Sequence, residues 1–214
     1  MSDTAYSCGI FDLDGVLVDT AKYHYLAWKE LADNLGFVFT KEQNEALKGV
    51  SRMKSLDLLL GFGNMEHRFT EKEKEELAEK KNRIYVEYIK KLEKTELFPG
   101  VLETFQTMKK KGIKIALGSA SKNAPMILER LEIESYFDAV IDGTMVSKAK
   151  PDPEVFLLAA RKLEIPAEHC VVFEDSAAGL QAAKTAGMLA VGIGEAKNLP
   201  MADQILKNVG EFKW

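Results

Sequence analysis

Phe11-Asp12-Leu13-Asp14-Gly15-Val16-Leu17-Val18-Asp19-Thr20 sets two carboxylates two residues apart, directly after the short apolar segment Ser7 to Phe11 and before a glycine. If that segment is a buried strand, Asp12 emerges at its carboxyl end, where open α/β sheets bind ligands, and Gly15 lets the chain turn away. A carboxylate placed there suits attack on phosphorus to give an aspartyl-phosphate. Asp14 is then close enough to give a proton to a leaving oxygen or take one from an attacking hydroxyl. Two carboxylates repel a phosphate, so the chemistry calls for a divalent cation, and magnesium, which prefers oxygen ligands, is expected. Taken alone, the same residues also read as an ordinary Asp-Gly turn between a strand and a helix.

Downstream, apolar runs of strand length alternate with helical patterns. Ile113 to Gly118, Ala139 to Asp142, Cys170 to Phe173 and Leu189 to Ile193 read as buried strands. Gly100 to Lys111, Pro125 to Leu131, Glu154 to Leu163 and Ala177 to Ala186 read as the helices between them. Strands separated by single helices predict an α/β fold, a Rossmann-like parallel sheet with right-handed crossovers. The alternation breaks from Asp19 to Glu93, where the signals are helical. Tyr23 to Leu35 stops at Gly36, Thr40 with Gln43 forms a capping box, and Thr70 with Glu73 opens a charged helix running to Leu92. The expected organisation is a discontinuous core, residues 1–18 and 94–214, with a helical cap domain, residues 19–93, inserted after the first strand. The segment after Gly194 carries little signal.

Further polar groups fall at predicted strand ends. Ser119-Ala120-Ser121-Lys122-Asn123 supplies hydroxyls, backbone N–H groups and a cation at a helix start, a setting that holds phosphate or merely caps the helix. In Lys150-Pro151-Asp152-Pro153 the prolines stiffen the chain around Lys150. Glu174-Asp175-Ser176 is a second acidic pair, either completing a magnesium shell with Asp12 and the Asp14 carbonyl or capping a helix.

The order Asp-x-Asp-Gly, Ser after the second strand, Lys-Pro, then Glu-Asp resembles the haloacid dehalogenase superfamily from about Tyr6 to Gly194. That resemblance implies Asp12 as nucleophile, Asp14 as acid/base, Ser119 and Lys150 as phosphate-binding groups, and Asp12, Asp14, Glu174 and Asp175 as the magnesium site. The insert is similar to the cap of the β-phosphoglucomutases in Thr20 through Trp28, in Leu47 to Arg52 with Ser55, and in Lys80-Lys81-Asn82. Those enzymes interconvert β-glucose 1-phosphate and glucose 6-phosphate through β-glucose 1,6-bisphosphate, which also serves as activating phosphodonor. The likeness implies that Arg52 grips the phosphate distant from the nucleophile and that Ser121, Lys122 and Asn123 bind sugar phosphate on the core side. It further implies that Lys48, Gly49, Val50, Trp28 and Lys81 line the sugar site and that His24 links to Asp14. Read from the residues alone, His24 and Trp28 on an amphipathic helix are ordinary surface or core side chains. A sugar-phosphate phosphatase of the same superfamily is the alternative, and a noncatalytic metabolite-binding protein a third.

Composition agrees with an enzyme of one or two domains: the 214 residues are 46% hydrophobic and 29% charged, with a net charge of −4. That balance, without a long basic cluster, argues against nucleic acid as the main partner. No run approaches transmembrane length and the first residues carry no basic leader, so a cytoplasmic monomer acting on small sugar phosphates, without membrane contact, is expected. Cys8 and Cys170 lie in apolar runs and are expected to be buried free thiols.

Overall fold

The strands β1 (Cys8–Phe11), β2 (Lys114–Gly118), β3 (Ala139–Ile141), β4 (Cys170–Glu174), β5 (Leu189–Ile193) and β6 (Gln204–Leu206) form one parallel sheet in the computed structural model, which describes residues 6–47 and 50–214. Their order is β3-β2-β1-β4-β5-β6, the Rossmann-like arrangement, with the first strand of the chain at its centre. Four helices, α5 (Val101–Lys110), α6 (Ala124–Arg130), α7 (Glu154–Lys162) and α8 (Ala177–Thr185), connect the strands.

A parallel sheet is covered on both faces, and β1 is accordingly apolar on both. Cys8 and Ile10 pack with Ala116, Val172, Phe156 and Leu180 on one side. On the other, Phe11 stacks on Phe173 at 4.7 Å between ring centroids and meets Phe105 edge-on at 5.2 Å. Each such buried side chain contributes roughly 1.5–3 kcal/mol. Cys8 and Cys170 face each other in the β1–β4 register, free and buried.

The chain divides into two compact units, one made of the residues up to Asp19 with Glu93–Trp214, the other Thr20–Leu92. The second is helical: α1 (Ala21–Leu35), α2 (Lys41–Asn44), α3 (Arg52–Phe62) and α4 (Glu71–Ile89). Gly36 closes α1 in the left-handed region at φ 90°, and Thr40 and Thr70 form complete capping boxes on α2 and α4. Each cap is worth about 1 kcal/mol. Trp28, Leu31, Phe39, Leu56, Leu59, Leu60 and Ala78 make this unit's own apolar core.

Two elements escaped the sequence reading. Helix α3 carries apolar residues on most sides (Met53, Leu56, Leu58, Leu59, Leu60, Phe62), so no stripe marks it, although Ser51 caps it by accepting from Lys54 N. Strand β6 is a three-residue edge with only Leu206 buried. The charged helix also stops earlier than expected, at Ile89 rather than Leu92.

Candidate active site

The carboxyl ends of β1 and β4 carry the acidic residues. Asp12 still belongs to the ladder, because its N–H donates to Phe173 O at 3.0 Å, and this fixes its side chain at the sheet's edge. The turn that follows is tied by Gly15 N to Val18 O at 2.9 Å. Gly15 sits at φ +77°, and a Cβ there would fall on the Asp175 carboxylate, so two independent constraints demand glycine.

Lys150 Nζ donates to Asp12 Oδ1 and to Glu174 Oε1, each at 2.6 Å. Glu174, 1% exposed, turns its other oxygen to Ser176, accepting from both N and Oγ at 2.8 Å. Ser176, rather than Asp175, caps α8 by accepting from Gly179 N. Asp12, Glu174 and Asp175 present oxygens all within 4.8 Å of one another. Asp14 lies near enough for its charge to act on Asp175, although its carboxylate is outside that group of three.

The charges in this cluster do not balance. Burial, reinforced by Glu174, lifts the Asp12 carboxyl to about 6 in spite of Lys150. Burial and the charges of Glu174, Asp12 and Asp14 push Asp175 up to about 8. Its side chain keeps contact with solvent, so crowding by like charges is the larger physical cause here. Burial disfavours the Lys150 ammonium, yet the carboxylates of Asp12 and Glu174 outweigh it and raise its pKa. Hard oxygen donors carrying surplus negative charge fit a divalent cation such as magnesium.

Binding such a cation requires the carboxylates ionised, so at pH 7 it expels a proton from Asp175. Calorimetric titration with magnesium in buffers of different ionisation enthalpy is expected to show release of about one proton, with affinity weakening as pH falls from 8 to 6. Both folded-state pKa values lie above their usual value of 3.8. The metal-free protein therefore loses stability as pH rises from about 4, the Asp12 share being complete near 6 and the Asp175 share near 8, and saturating magnesium restores it. Binding heats independent of buffer would contradict this.

At the end of β2, Ser119 is 1% exposed, and its N–H donates to Ile141 O at 3.0 Å. Ser119 Oγ accepts from Ser121 N at 3.1 Å, and Ser121 Oγ from Asn123 N at 3.3 Å. Of the two readings of this segment, capping of α6 is not made through Asn123, whose side chain makes no cap bond. The hydroxyls instead shape the loop ahead of Lys122 and Asn123.

In the helical unit, Lys81 is 3% exposed although it ends a run of Glu and Lys. Its Nζ lies 2.8 Å from His24 Nδ1, 4.6 Å from the Trp28 ring centroid and 4.9 Å from that of Tyr85. An ammonium only donates, so His24 Nδ1 accepts and neutral His24 carries its proton on Nε2. Burial, Lys81 and Arg52 hold the His24 pKa well below its usual value. Arg52 donates through one terminal nitrogen to Glu79 Oε1 at 2.7 Å and through the other to Asn82 Oδ1 at 3.0 Å. Val50 is exposed, and Lys48 and Gly49 lie outside the described residues. Glu79 and Tyr85 escaped the sequence reading, although each lies on the helix that carries Lys81, Tyr85 one turn beyond it.

The profile of the haloacid dehalogenase-like hydrolases matches residues 7–187, which takes in Asp12, Ser119, Lys150 and Asp175. This chain belongs to that family. It is 45% identical to the β-phosphoglucomutase of Bacillus subtilis, over 95% of this chain and 90% of that one. It is 35% identical to the phosphorylated carbohydrates phosphatase of Thermotoga maritima, over 84% and 81% of the two chains. The crystal structure of a β-phosphoglucomutase from Clostridium difficile superimposes with a TM-score of 0.91 at 41% identity, covering 98% of this chain and 94% of the other.

Proposed function

We propose that this protein is a magnesium-dependent β-phosphoglucomutase, interconverting β-D-glucose 1-phosphate and glucose 6-phosphate through an aspartyl-phosphate and β-glucose 1,6-bisphosphate. The observation that carries the reading is that each of the two units holds a cationic group, which supports binding of a substrate with two phosphates. Asp12 and Lys150 form one centre, and the helical unit brings a second cationic group together from Arg52 and Lys81. The likeness to a B. subtilis β-phosphoglucomutase over most of both chains supports it.

Asp12 attacks the phosphorus of the bisphosphate, forming the Asp12 oxygen–phosphorus bond as the bond to the sugar oxygen breaks. Asp14 gives its proton to that leaving oxygen, then takes one back from the sugar hydroxyl that attacks the aspartyl-phosphate in the second half of the reaction. Lys150 balances the charge of the transferring group and keeps Asp12 oriented. Ser119 Oγ accepts from Ser121 N and is assigned to donate its own proton to a phosphoryl oxygen. Ser121, Lys122 and Asn123 hold the sugar phosphate on this side. Magnesium, held by Asp12, Asp175, the Asp14 carbonyl and the charge of Glu174, would neutralise the phosphoryl oxygens so that a carboxylate can approach.

In the helical unit, Arg52 holds the phosphate remote from Asp12, because a planar guanidinium matches phosphate oxygens in a bidentate way. Lys81, Trp28, Val50, Lys48 and Gly49 are assigned to the sugar. His24, whose Nδ1 accepts from Lys81, keeps its proton on Nε2. A sugar-phosphate phosphatase remains the second reading, favoured by the resemblance to the T. maritima phosphatase.

One assay separates them. With β-glucose 1-phosphate, magnesium and a trace of β-glucose 1,6-bisphosphate, glucose 6-phosphate should form much faster than inorganic phosphate, and the α anomer should be a poor substrate. Predominant release of inorganic phosphate across a panel of sugar phosphates would replace the mutase reading with the phosphatase one.

A further inference from the structure

We propose that Glu79 is a resting counter-ion for Arg52 that the remote phosphate displaces, so that Glu79 sets how tightly that phosphate is held. This rests on the assignment of Arg52 to the remote phosphate.

Arg52 opens α3, and its two terminal nitrogens are divided between an anionic and a neutral acceptor on α4, Glu79 Oε1 at 2.7 Å and Asn82 Oδ1 at 3.0 Å. The partners differ in what they can yield. The Arg52 side chain is 27% exposed while that of Glu79 is 57% exposed, so Glu79 can swing into water with little loss. A solvated ion pair of this kind is worth little, whereas a phosphate dianion binds a guanidinium bidentately through charge-assisted bonds. Phosphate therefore wins the exchange, and Asn82, being neutral, keeps the guanidinium plane oriented without competing. A displaced Glu79 carboxylate remains within a side chain's reach and continues to repel the dianion.

A purely structural role for the ion pair is redundant. Helices α3 and α4 are already joined by Lys74 with Asp57 at 3.0 Å and by Leu56, Leu59, Leu60 and Ala78 in the shared core. What Glu79 adds is a negative charge on the cationic group of Arg52 and Lys81, and with it a threshold: an anion must outcompete a carboxylate before Arg52 engages it.

The test is Glu79→Gln in the full chain with magnesium, reading KM for β-glucose 1-phosphate and for the bisphosphate separately from kcat. The expected result is a KM lower by about three- to tenfold with kcat little changed, the gain shrinking at about 0.5 M salt. It should disappear when Arg52→Ala is added. A structural role would instead lower the melting temperature and leave KM the same or higher. If Arg52→Ala raises KM but Glu79→Gln does not lower it, Glu79 is no counter-ion to the phosphate and the proposal is overturned while the Arg52 assignment stands. If Arg52→Ala leaves KM unchanged, the assignment itself fails and takes the proposal with it.

Discussion

Asp12→Ala and Asp12→Asn abolish turnover of sugar phosphates, because neither an alkyl group nor an amide forms an acyl phosphate. The loss is expected to reach the assay floor with the fold intact. Asp12 is 7% exposed, but its backbone bond to Phe173 O is independent of the side chain. Asp12→Asn also removes one of the two anions that hold Lys150. Incubation with 32P-labelled bisphosphate should label the wild type in an acid-stable, hydroxylamine-labile manner and leave both variants unlabelled. Asp14→Asn keeps the backbone carbonyl and should lose only proton transfer, a cost of about 10² to 10⁴ in rate. Measurable turnover by Asp12→Ala would remove the covalent mechanism, and a near wild-type Asp14→Asn would remove its acid/base.

Arg52→Ala divides two reactions that share one nucleophile. Isomerisation needs the sugar held by its far phosphate while the near end reacts, so losing that anchor should lower mutase kcat/KM by about a thousandfold, roughly 4 kcal/mol. Hydrolysis of a small phosphodonor, which has no far phosphate, should change by less than about tenfold. Equal losses in both reactions would show that Arg52 supports the helical unit rather than the substrate. Arg52 also bonds to Glu79 and Asn82, so melting temperatures should accompany the rates.

Where the chain runs through fully buried strands or ends a helix on a chemical signal, its sequence is easy to read. Phe11 into Asp12, Gly36 in the left-handed region, and the Thr40 and Thr70 capping boxes are local, so adjacent residues suffice to define them. The core acids were legible for the same reason: Asp12 and Glu174 each follow a short apolar run, and parallel pairing of β1 with β4 does the rest. What adjacency does not encode is contact across distance. Lys81, at the end of a run of charges, is the example: the sequence offers it as a sugar-site residue, but not that Trp28 from α1 and Tyr85 a turn later enclose it. Helix α3 lacks a polar side to contrast with its apolar one. Strand β6 is too short for alternation to develop and draws its identity from pairing with β5.

The sheet order has a consequence for how the chain is made. The strand that leads into Asp12 precedes both of its neighbours in the chain, β2 from Lys114 and β4 from Cys170, so it lacks its second flank until β4 has been made. Residues 20–92, translated in the interval, carry an apolar core that needs no strand to complete it. The long loop closure around them burdens the nascent sheet with slow, non-local pairing. A nascent chain arrested before Cys170 lacks Glu174 and Asp175, so it cannot assemble the acidic group around Asp12.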